Sequence, residues 1–405
     1  MSPISRRHFL QFAGSTLATL GLNQLNFQRQ AEHYGKVLAQ STPRKLALLV
    51  GVNQYSSEPL YGCVNDVELQ RHLLIHRFGF KKEDILTLTD KQATRQGILE
   101  AFEDHLINQA KPGDVVVYHY SGHGSQVFDP DPIVVQQGNQ SSGLNGTFVP
   151  VDGELPDGYP EQGGVVKDIM GHTLFLLMSA LPTENVTVVL DSCYSGGATR
   201  KEFRVRSRDG GRNVQISPLE KEYQEKWLSR LNWSREKFVE AYRRGVAKGV
   251  VLAATNPNQL AVDARLNGFD AGAFTYLLTH YLWQQAGTPE TAIAYAVGHI
   301  PEVFEQTPQY EVRVGSGYEK QPLYFINTPS SAADAVVTDV NGNQAKLWLG
   351  GADLGTIDNG TGFNAIDGSG RVTLHSRDGL VGIATVQGGV EPGTLLKVEG
   401  ITTGI

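Results

Sequence analysis

Two short segments of the chain each combine a reactive side chain with neighbouring glycines: residues 118–124 (YHYSGHG) and residues 189–197 (VLDSCYSGG). The thiol of Cys193 can act as a nucleophile once it loses its proton. His123 can take that proton, because the pKa of histidine lies near neutrality. The backbone N–H groups of Gly124 and Cys193 could stabilise an oxyanion, since glycine lets a carbonyl group approach the main chain closely. The two segments predict covalent catalysis by Cys193 with His123 as general base.

Taken singly, each of these residues has an ordinary structural explanation. A lone buried cysteine is usually a small core hydrophobe, and a lone histidine is usually structural. Together they favour chemistry, because Cys193 and His123 each follow an apolar run of strand length and each has glycines beside it.

The elements that must position these residues alternate along the chain. Strand-like runs occupy 45–53, 85–89, 114–120, 148–151, 186–190, 249–254 and 323–326, and helical patterns occupy 64–78, 94–108, 169–180, 219–244, 273–285 and 288–306. Such alternation predicts an α/β fold, a mostly parallel sheet with helices on both faces. In such a sheet, ligands bind beyond the carboxyl ends of the strands. We therefore expect both reactive segments at one edge.

The character of the sequence changes near residue 330. Short apolar stretches there are separated by Asn-Gly, Gly-Gly and Asp-Gly pairs, which are turn signals. Residues 331–405 are therefore predicted to form a small all-β domain. Its role is open: an interaction module, a wall attachment, a regulator or a structural cap would each fit.

Composition bounds the broad class of protein. The chain has 405 residues, 40% hydrophobic and 19% charged, which is typical of a globular protein of two or three domains. Its net charge of -7 argues against nucleic-acid binding. Two cysteines, Cys63 and Cys193, are too few for a disulfide framework.

The first 39 residues resemble a twin-arginine export signal. Arg6 and Arg7 precede a mildly apolar run over 9–22, and residues 37–39 form a plausible cleavage site. The run is too short for a stable membrane anchor, and no later stretch is apolar enough to span a membrane. We expect export to a periplasm, a lumen or the extracellular space. The alternative is a disordered or amphipathic leader on a cytoplasmic protein.

Several motifs in order resemble those of the caspase-like peptidases, and most closely the metacaspases and their bacterial relatives, the orthocaspases. Besides YSGHG and DSCYSGG, they are LALLVGVNQY (46–55), CVND (63–66) and GAFTYLLTHYLW (272–283). The resemblance covers 45–326 and implies a caspase-like (caspase-hemoglobinase) sandwich. It also implies a Cys–His dyad that hydrolyses proteins or peptides after arginine or lysine. The dyad needs no metal or organic cofactor, and we expect a monomer.

The resemblance also implies a pocket for the basic side chain of the substrate, lined by Cys63, Asp66, Ser121 and Asp191. Carboxylates make strong, potentially bidentate hydrogen bonds to a guanidinium. The alternatives are a helix N-terminal carboxylate for Asp66 and a turn residue for Asp191. We favour the pocket. Cys63 is then a pocket-lining thiol and forms no disulfide with Cys193.

Many metacaspases are activated by calcium, which needs clustered oxygen ligands. Where a metacaspase shows paired aspartates, this chain has Val166-Lys167-Asp168, and Arg200 stands where a further acidic ligand is expected. Cationic side chains at these positions would repel the ion, so we predict calcium independence. Asp129, Asp131 and Asp152 could form a weaker site, but we interpret them as solvated loop carboxylates.

Residues 199–217 interrupt the α/β pattern and are predicted to form an exposed basic loop. A protease specific for basic residues could cut itself there. The candidate sites are Arg200, Lys201, Arg204, Arg206 and Arg208. The alternative to a protease is a catalytically inactive caspase-like scaffold whose C-terminal β domain binds a partner.

Overall fold

A computed structural model describes residues 43–130, 132–133, 143–194 and 203–400. The predicted export signal, 1–39, lies outside these residues. All elements named below belong to one compact unit, Lys45–Ile405.

In the described residues before the C-terminal domain, the strands of the central sheet alternate with helices, as the sequence predicts, and further short strands are inserted between them. In chain order the strands are β1 (Lys45–Gly51), β2 (Ile85–Thr89), β3 (Val115–Ser121), β4 (Gly124–Phe128), β5 (Leu144–Phe148), β6 (Gly164–Val166), β7 (Ile169–Met170), β8 (Val186–Asp191), β9 (Arg204–Val205), β10 (Gly211–Ile216), β11 (Val250–Ala253), β12 (Val262–Leu266), β13 (Phe269–Gly272) and β14 (Gln309–Val312). The α-helices are α1 (Cys63–His76), α2 (Arg95–Ala101), α3 (Gly171–Ala180), α4 (Pro218–Arg230), α5 (Arg235–Arg243), α6 (Ala273–Gln284) and α7 (Pro289–His299). Short 3-10 or π turns cover Lys82–Asp84, Asp90–Gln92, Phe102–Ile107, Glu302–Phe304, Tyr318–Lys320 and Leu323–Phe325.

The central sheet has six strands in the order β14-β11-β8-β3-β1-β2. Its strands are parallel except for β14, which runs antiparallel to β11. The mostly parallel sheet of the predicted α/β fold is therefore confirmed. The expected strand at 323–326 is wrong, because Tyr324 has a φ of 56°, in the left-handed region that a strand residue does not adopt.

Both faces of the central sheet are covered, which is why its strands are continuous apolar runs. Along β1, Leu46, Leu48 and Val50 join the core formed with α2, α3, α4 and α5. Ala47 and Leu49 join the opposite core, which contains residues of α1, α6 and α7. Full burial of a leucine or valine side chain contributes about 1.5–3 kcal/mol. This two-sided burial holds β1, β3 and β8 in place beneath the reactive segments.

Two smaller sheets lie outside the central one. A five-stranded sheet has the order β6-β10-β4-β5-β7, and a three-stranded sheet has the order β13-β12-β9. The prediction of an exposed loop at 199–217 is wrong for residues 203–217, because this part of the chain contains β9 and β10. Arg206 and Arg208 lie between these two strands, and both side chains are buried.

The C-terminal region forms a closed antiparallel barrel, so the predicted small all-β domain is confirmed. Its strands are β15 (Ala335–Asn341), β16 (Gln344–Trp348), β17 (Gly362–Ala365), β18 (Gly370–Asp378), β19 (Val381–Gly388) and β20 (Leu395–Val398), in the order β15-β16-β19-β18-β17-β20. The barrel packs against the helices: the ring of Trp348 stacks on His72 of α1, with 4.2 Å between ring centroids. The amide of Gln284 in α6 donates to Asp334 at 2.7 Å.

Candidate active site

The register of the central sheet brings the two reactive segments together. Neighbouring strands β3 and β8 end with the paired residues Ser121 and Asp191. His123 and Cys193 each lie two residues beyond this pair, at the same sheet edge. The contact is so close that a Cβ at Gly124 would lie 2.3 Å from the carbonyl oxygen of Cys193. Only glycine fits there.

His123 is buried and held as a neutral base. Its Nε2 lies 2.7 Å from the carbonyl oxygen of Glu58, which can only accept, so Nε2 carries the proton. Nδ1 is then the unprotonated nitrogen, and among the described residues it has no hydrogen-bond partner. Burial is the main cause that lowers the pKa of His123 to about 4. Above that pH the ring can accept a proton at Nδ1.

Cys193 is fully buried, and both it and Cys63 are free thiols. Burial raises the pKa of Cys193 to about 12, although hydrogen bonds with the Ala261 backbone and the Ser207 side chain favour the thiolate. The two reactive groups are therefore a neutral thiol and a neutral imidazole near pH 7.

The backbone of Arg206 lies across this site, and both its carbonyl oxygen and its N–H make hydrogen bonds there. The backbone N–H groups of Gly124 and Cys193 both donate to the Arg206 carbonyl oxygen, at 3.0 Å and 3.2 Å. The Arg206 N–H donates to the carbonyl oxygen of Ala261 at 2.9 Å, and β9 pairs antiparallel with β12 just beside it. The chain thus leaves β9 through a bend at Arg206, and the Arg206 carbonyl oxygen is held by two N–H donors.

The side chain of Arg206 is completely buried among carboxylates. Its guanidinium lies 2.7 Å from Asp66, 3.1 Å from Asp191 and 3.0 Å from Asp263, and it donates to Ser121 Oγ at 2.7 Å. All three carboxylate side chains are fully buried as well. Predicted pocket residues therefore do meet around one basic side chain, and that side chain belongs to the protein itself.

The carboxylates of this pocket are oriented by their own hydrogen bonds. Asp66 accepts from Ser121 Oγ at 2.6 Å and from the Gly272 N–H at 3.0 Å. Asp191 accepts from the N–H and the hydroxyl of Thr275, in the first turn of α6, at 3.0 Å and 2.6 Å. These donors stabilise the charged form, and they hold each carboxylate in position for a guanidinium.

Burial and neighbouring charges shift the pKa values of the pocket residues in opposite directions. Burial raises the pKa of Asp66 and of Asp191, and Arg206 opposes that rise. Burial by itself would lower the pKa of Arg206, but Asp191 and Asp66 hold it well above its ordinary value. Burial likewise raises the pKa of the Cys63 thiol, which keeps Cys63 neutral beside the pocket. The cation and its carboxylates stabilise one another's charges.

Two contributors to the site, Asp263 and Glu58, escaped prediction from the sequence. Asp263 completes the pocket and also accepts from the N–H groups of Tyr61 and Gly62, at 2.8 Å and 3.0 Å. Its one local signal is an aspartate inside the apolar run 260–264. Glu58 has a φ of 54° and presents its carbonyl to His123. No local pattern marks that role.

The other predicted self-cleavage candidates lie elsewhere. Arg200 and Lys201 are outside the described residues. Arg204 is 41% exposed and lies over the ring of Tyr61, 3.9 Å from its centroid. Arg208 is buried against Asp168, with its Nη2 2.8 Å from the carboxylate. Among the described candidates, Arg206 is the one whose carbonyl contacts the backbone of Cys193.

Within the described part of the chain, no group of three or more His, Cys, Asp or Glu side chains could hold a metal ion. Asp131, one of the three carboxylates considered for a weak calcium site, lies outside the described residues. Asp152 accepts from the Arg95 N–H at 2.8 Å and lies 3.5 Å from Lys167 Nζ. Calcium independence stays a prediction.

A mostly parallel sheet with helices on both faces, carrying a cysteine and a histidine beyond adjacent strand ends, defines a caspase-like fold. Residues 45–200 match the family model "Metacaspase, peptidase C14 domain". Residues 45–200 are therefore similar to the peptidase domain of the metacaspases.

Curated relatives agree with that family. Metacaspase-1 of Schizosaccharomyces pombe is 29% identical over 302 residues, 66% of this chain and 66% of the relative. Metacaspase-1 of Meyerozyma guilliermondii is 36% identical over 173 residues, 41% of this chain and 38% of the relative. The chain thus spans less than two thirds of the length of these relatives. A solved structure of a Geobacter sulfurreducens protein covers 70% of this chain and 99% of that chain, at 22% identity and a TM-score of 0.47.

Proposed function

We propose that this chain is a cysteine endopeptidase that cleaves after arginine or lysine, and that it is made as a precursor whose own Arg206 occupies the active site. One observation carries the proposal. The Arg206 side chain lies among Asp66, Asp191 and Asp263, while its carbonyl oxygen accepts from Gly124 and Cys193. A substrate would make the same two sets of contacts.

The mechanism follows from these groups. Nδ1 of His123 takes the proton of Cys193 as the sulfur attacks the carbonyl carbon of the residue in the pocket. The developing oxyanion remains with the N–H groups of Gly124 and Cys193, which already point at it. The protonated imidazole then gives its proton to the leaving amine, and water releases the acyl-enzyme. A neutral imidazole and a neutral thiol are the starting forms that this sequence of steps requires.

The first turnover would then be intramolecular. The bond between Arg206 and Ser207 is the one presented to Cys193, so cleavage there leaves Arg206 as a new C-terminus and Ser207 as a new N-terminus. Departure of Arg206 frees the three carboxylates for the arginine or lysine of another protein. The precursor is therefore self-inhibited until it is cut.

The test compares the wild-type protein with Cys193→Ala, followed by mass spectrometry of the fragments. We expect a fragment that begins at Ser207 in the wild type alone. The matched control Arg212→Gln removes an exposed arginine nearby and should be cut like the wild type. Equal fragmentation of the wild type and Cys193→Ala, or none in either, would refute self-processing, and a cut after Arg200, Lys201, Arg204 or Arg208 would refute the choice of Arg206.

Substrate preference is measured on the cleaved protein with short peptides that release a coumarin after arginine, lysine, aspartate or leucine. We expect turnover of the arginine and lysine peptides, lost in Cys193→Ala. No turnover of any peptide by the cleaved wild type would favour the inactive scaffold.

Three further expectations belong to this proposal. We propose that calcium is not needed, because both oxygens of Asp168 bind Arg208; equal self-cleavage rates in calcium and in chelator are expected. We propose a monomer, which light scattering tests. We also propose export through residues 1–39, which fusion of this segment to a reporter tests. None of the helices in the described residues is long and apolar enough to cross a membrane.

A further inference from the structure

A second buried arginine lies two residues beyond the bond that the proposed function assigns to cleavage. The side chain of Arg208 is 4% exposed, and its two terminal nitrogens each lie 2.8 Å from one oxygen of Asp168. The guanidinium also donates to Ser125 Oγ at 3.2 Å and to the carbonyl oxygen of Gly153. This is a fork-to-fork pair in a formed pocket, with further acceptors around the guanidinium.

Asp168 is built into this position rather than left at the surface. Its side chain is fully buried, and one of its oxygens also accepts from the hydroxyl of Thr147 in β5 at 2.6 Å. Burial raises the pKa of Asp168, and Arg208 opposes the rise. A buried carboxylate whose cation leaves must protonate or find another cation.

The backbone links this pocket to the active site. The Gly124 N–H donates to the Arg206 carbonyl oxygen at 3.0 Å, and the Gly124 carbonyl oxygen accepts from the Arg208 N–H at 2.9 Å. One residue, Gly124, thus hydrogen-bonds to the chain on both sides of the Arg206–Ser207 bond. The spacing between the two arginine pockets is set by the same backbone pairing that presents the carbonyl to Cys193.

We propose that Asp168 forms a second specificity pocket, on the leaving side of the cut, which selects arginine at the second residue after the cleaved bond. The proposal rests on the proposed function and deepens it. The preferred substrates are proteins with the pattern Arg-x-Arg or Lys-x-Arg, cut after the first basic residue. Arginine is favoured over lysine, because only a guanidinium can bind both carboxylate oxygens in a planar fork. The protein's own Arg206-Ser207-Arg208 has this pattern.

The test uses internally quenched peptides that share arginine before the cut and serine after it, and that differ at the next residue: arginine, lysine, glutamine or glutamate. The enzyme is cleaved Arg208→Gln, in which the pocket has lost its own arginine. We expect kcat/KM for the arginine peptide to exceed that for the glutamine peptide by at least about 30-fold, since losing one partner of a buried charge pair is costly. Lysine should rank between them and glutamate last.

The double variant Arg208→Gln/Asp168→Asn should reduce this ratio to a few-fold or less. Because the ratio compares two peptides on one protein, a general loss of activity cancels from it. Equal kcat/KM for the arginine and glutamine peptides on Arg208→Gln would overturn the proposal by itself, whether or not the double variant folds.

The rate at which variants of the chain cleave themselves provides a second test. Self-cleavage of Arg208→Gln should be at least about tenfold slower than that of the control Arg212→Gln, and Arg208→Lys should recover part of the rate. Equal rates in all three would contradict the pocket.

A coumarin peptide with arginine before the cut has no residue that could enter this pocket, so it tests the proposed function separately. Its turnover together with no preference among the quenched peptides would overturn the second pocket alone. No turnover of either kind of peptide would overturn both proposals.

Discussion

The burial of Arg206 among three carboxylates makes a quantitative prediction about stability. The change is Arg206→Gln in a Cys193→Ala background, so that neither protein can cut itself. Glutamine removes the positive charge and leaves Asp66, Asp191 and Asp263 buried around a neutral amide. We expect the free energy of unfolding to fall.

The size of the fall follows from the contacts. Removing one partner of a buried ion pair costs about 3–5 kcal/mol, and here one cation serves three fully buried carboxylates. The entropy of unfolding is about 2.1 cal/mol/K per residue, or roughly 0.75 kcal/mol/K over Lys45–Ile405. The melting temperature should therefore fall by about 4–7 °C. Arg206→Lys keeps the charge but loses the planar, two-pronged geometry of the guanidinium, so it should lower the free energy of unfolding by less than Arg206→Gln does.

The loss of stability caused by Arg206→Gln should also depend on pH. Burial raises the pKa of Asp66 and of Asp191 in the folded state, and Arg206 opposes that rise. Without Arg206 the folded pKa values rise further above the unfolded ones. A carboxylate with a raised folded pKa favours folding below its unfolded pKa, and that contribution disappears as pH rises through the folded value. The penalty of Arg206→Gln should therefore be larger at pH 8 than at pH 5.

The assay is thermal and urea unfolding of Cys193→Ala, Cys193→Ala/Arg206→Gln and the control Cys193→Ala/Arg212→Gln, with intact mass checked first. Benzamidine, a small guanidinium-like cation, should restore stability to the Arg206→Gln protein more than to its parent; at one hundred times its Kd it would add about 2.7 kcal/mol. If the Arg206→Gln protein melts at the temperature of its parent at pH 8, the buried charge cluster does not hold the fold in the way we infer.

Three other predictions concern the same site. Self-cleavage should stay constant between pH 6 and 8 and fall only as pH approaches about 4, because His123 is neutral above that pH; a midpoint near 6.5, with circular dichroism showing an intact fold, would contradict this. Iodoacetamide should label Cys193 at least about tenfold more slowly in Arg206→Gln, which has no basic residue before the cut and should stay uncleaved, than in cleaved wild type, because in the uncleaved form the thiol is buried and its pKa is raised to about 12; equal labelling rates would contradict the occlusion. Asp263→Asn should raise KM for an arginine–coumarin peptide at least about tenfold with a smaller change in kcat, because it removes one of three carboxylates that hold the guanidinium; an unchanged KM would exclude Asp263 from the pocket.

Local patterns were sufficient for the framework of the site. The apolar run of β1 and the β-branched run of β8 predict buried parallel strands, because strands covered on both faces need apolar residues at every position. The glycines beside His123 and Cys193 predict a close approach of backbones. The close contact between Gly124 and Cys193 is of that kind.

The same patterns failed for the basic segment. Arg204, Arg206, Arg208 and Arg212 look alike in the sequence, and a run of charges usually indicates an exposed surface. Arg206 and Arg208 are nevertheless buried, because carboxylates outside the basic segment compensate their charges: Asp66, Asp191 and Asp263 for one, and Asp168 for the other. A charged side chain is buried only where partners compensate its charge, and these partners are not among its neighbours in the sequence.

By itself, the sequence determined the alternating α/β architecture, the all-β tail and the two segments from which His123 and Cys193 project, since each of these is encoded by neighbouring residues. The tertiary structure alone decided which arginine fills the pocket, that Asp263 completes it and that Asp168 holds Arg208. These outcomes depend on the pairing of β9 with β12 and on the contacts of Gly124 with residues 206 and 208. Such contacts join residues far apart in the chain, and the register of strand pairing fixes which side chains meet.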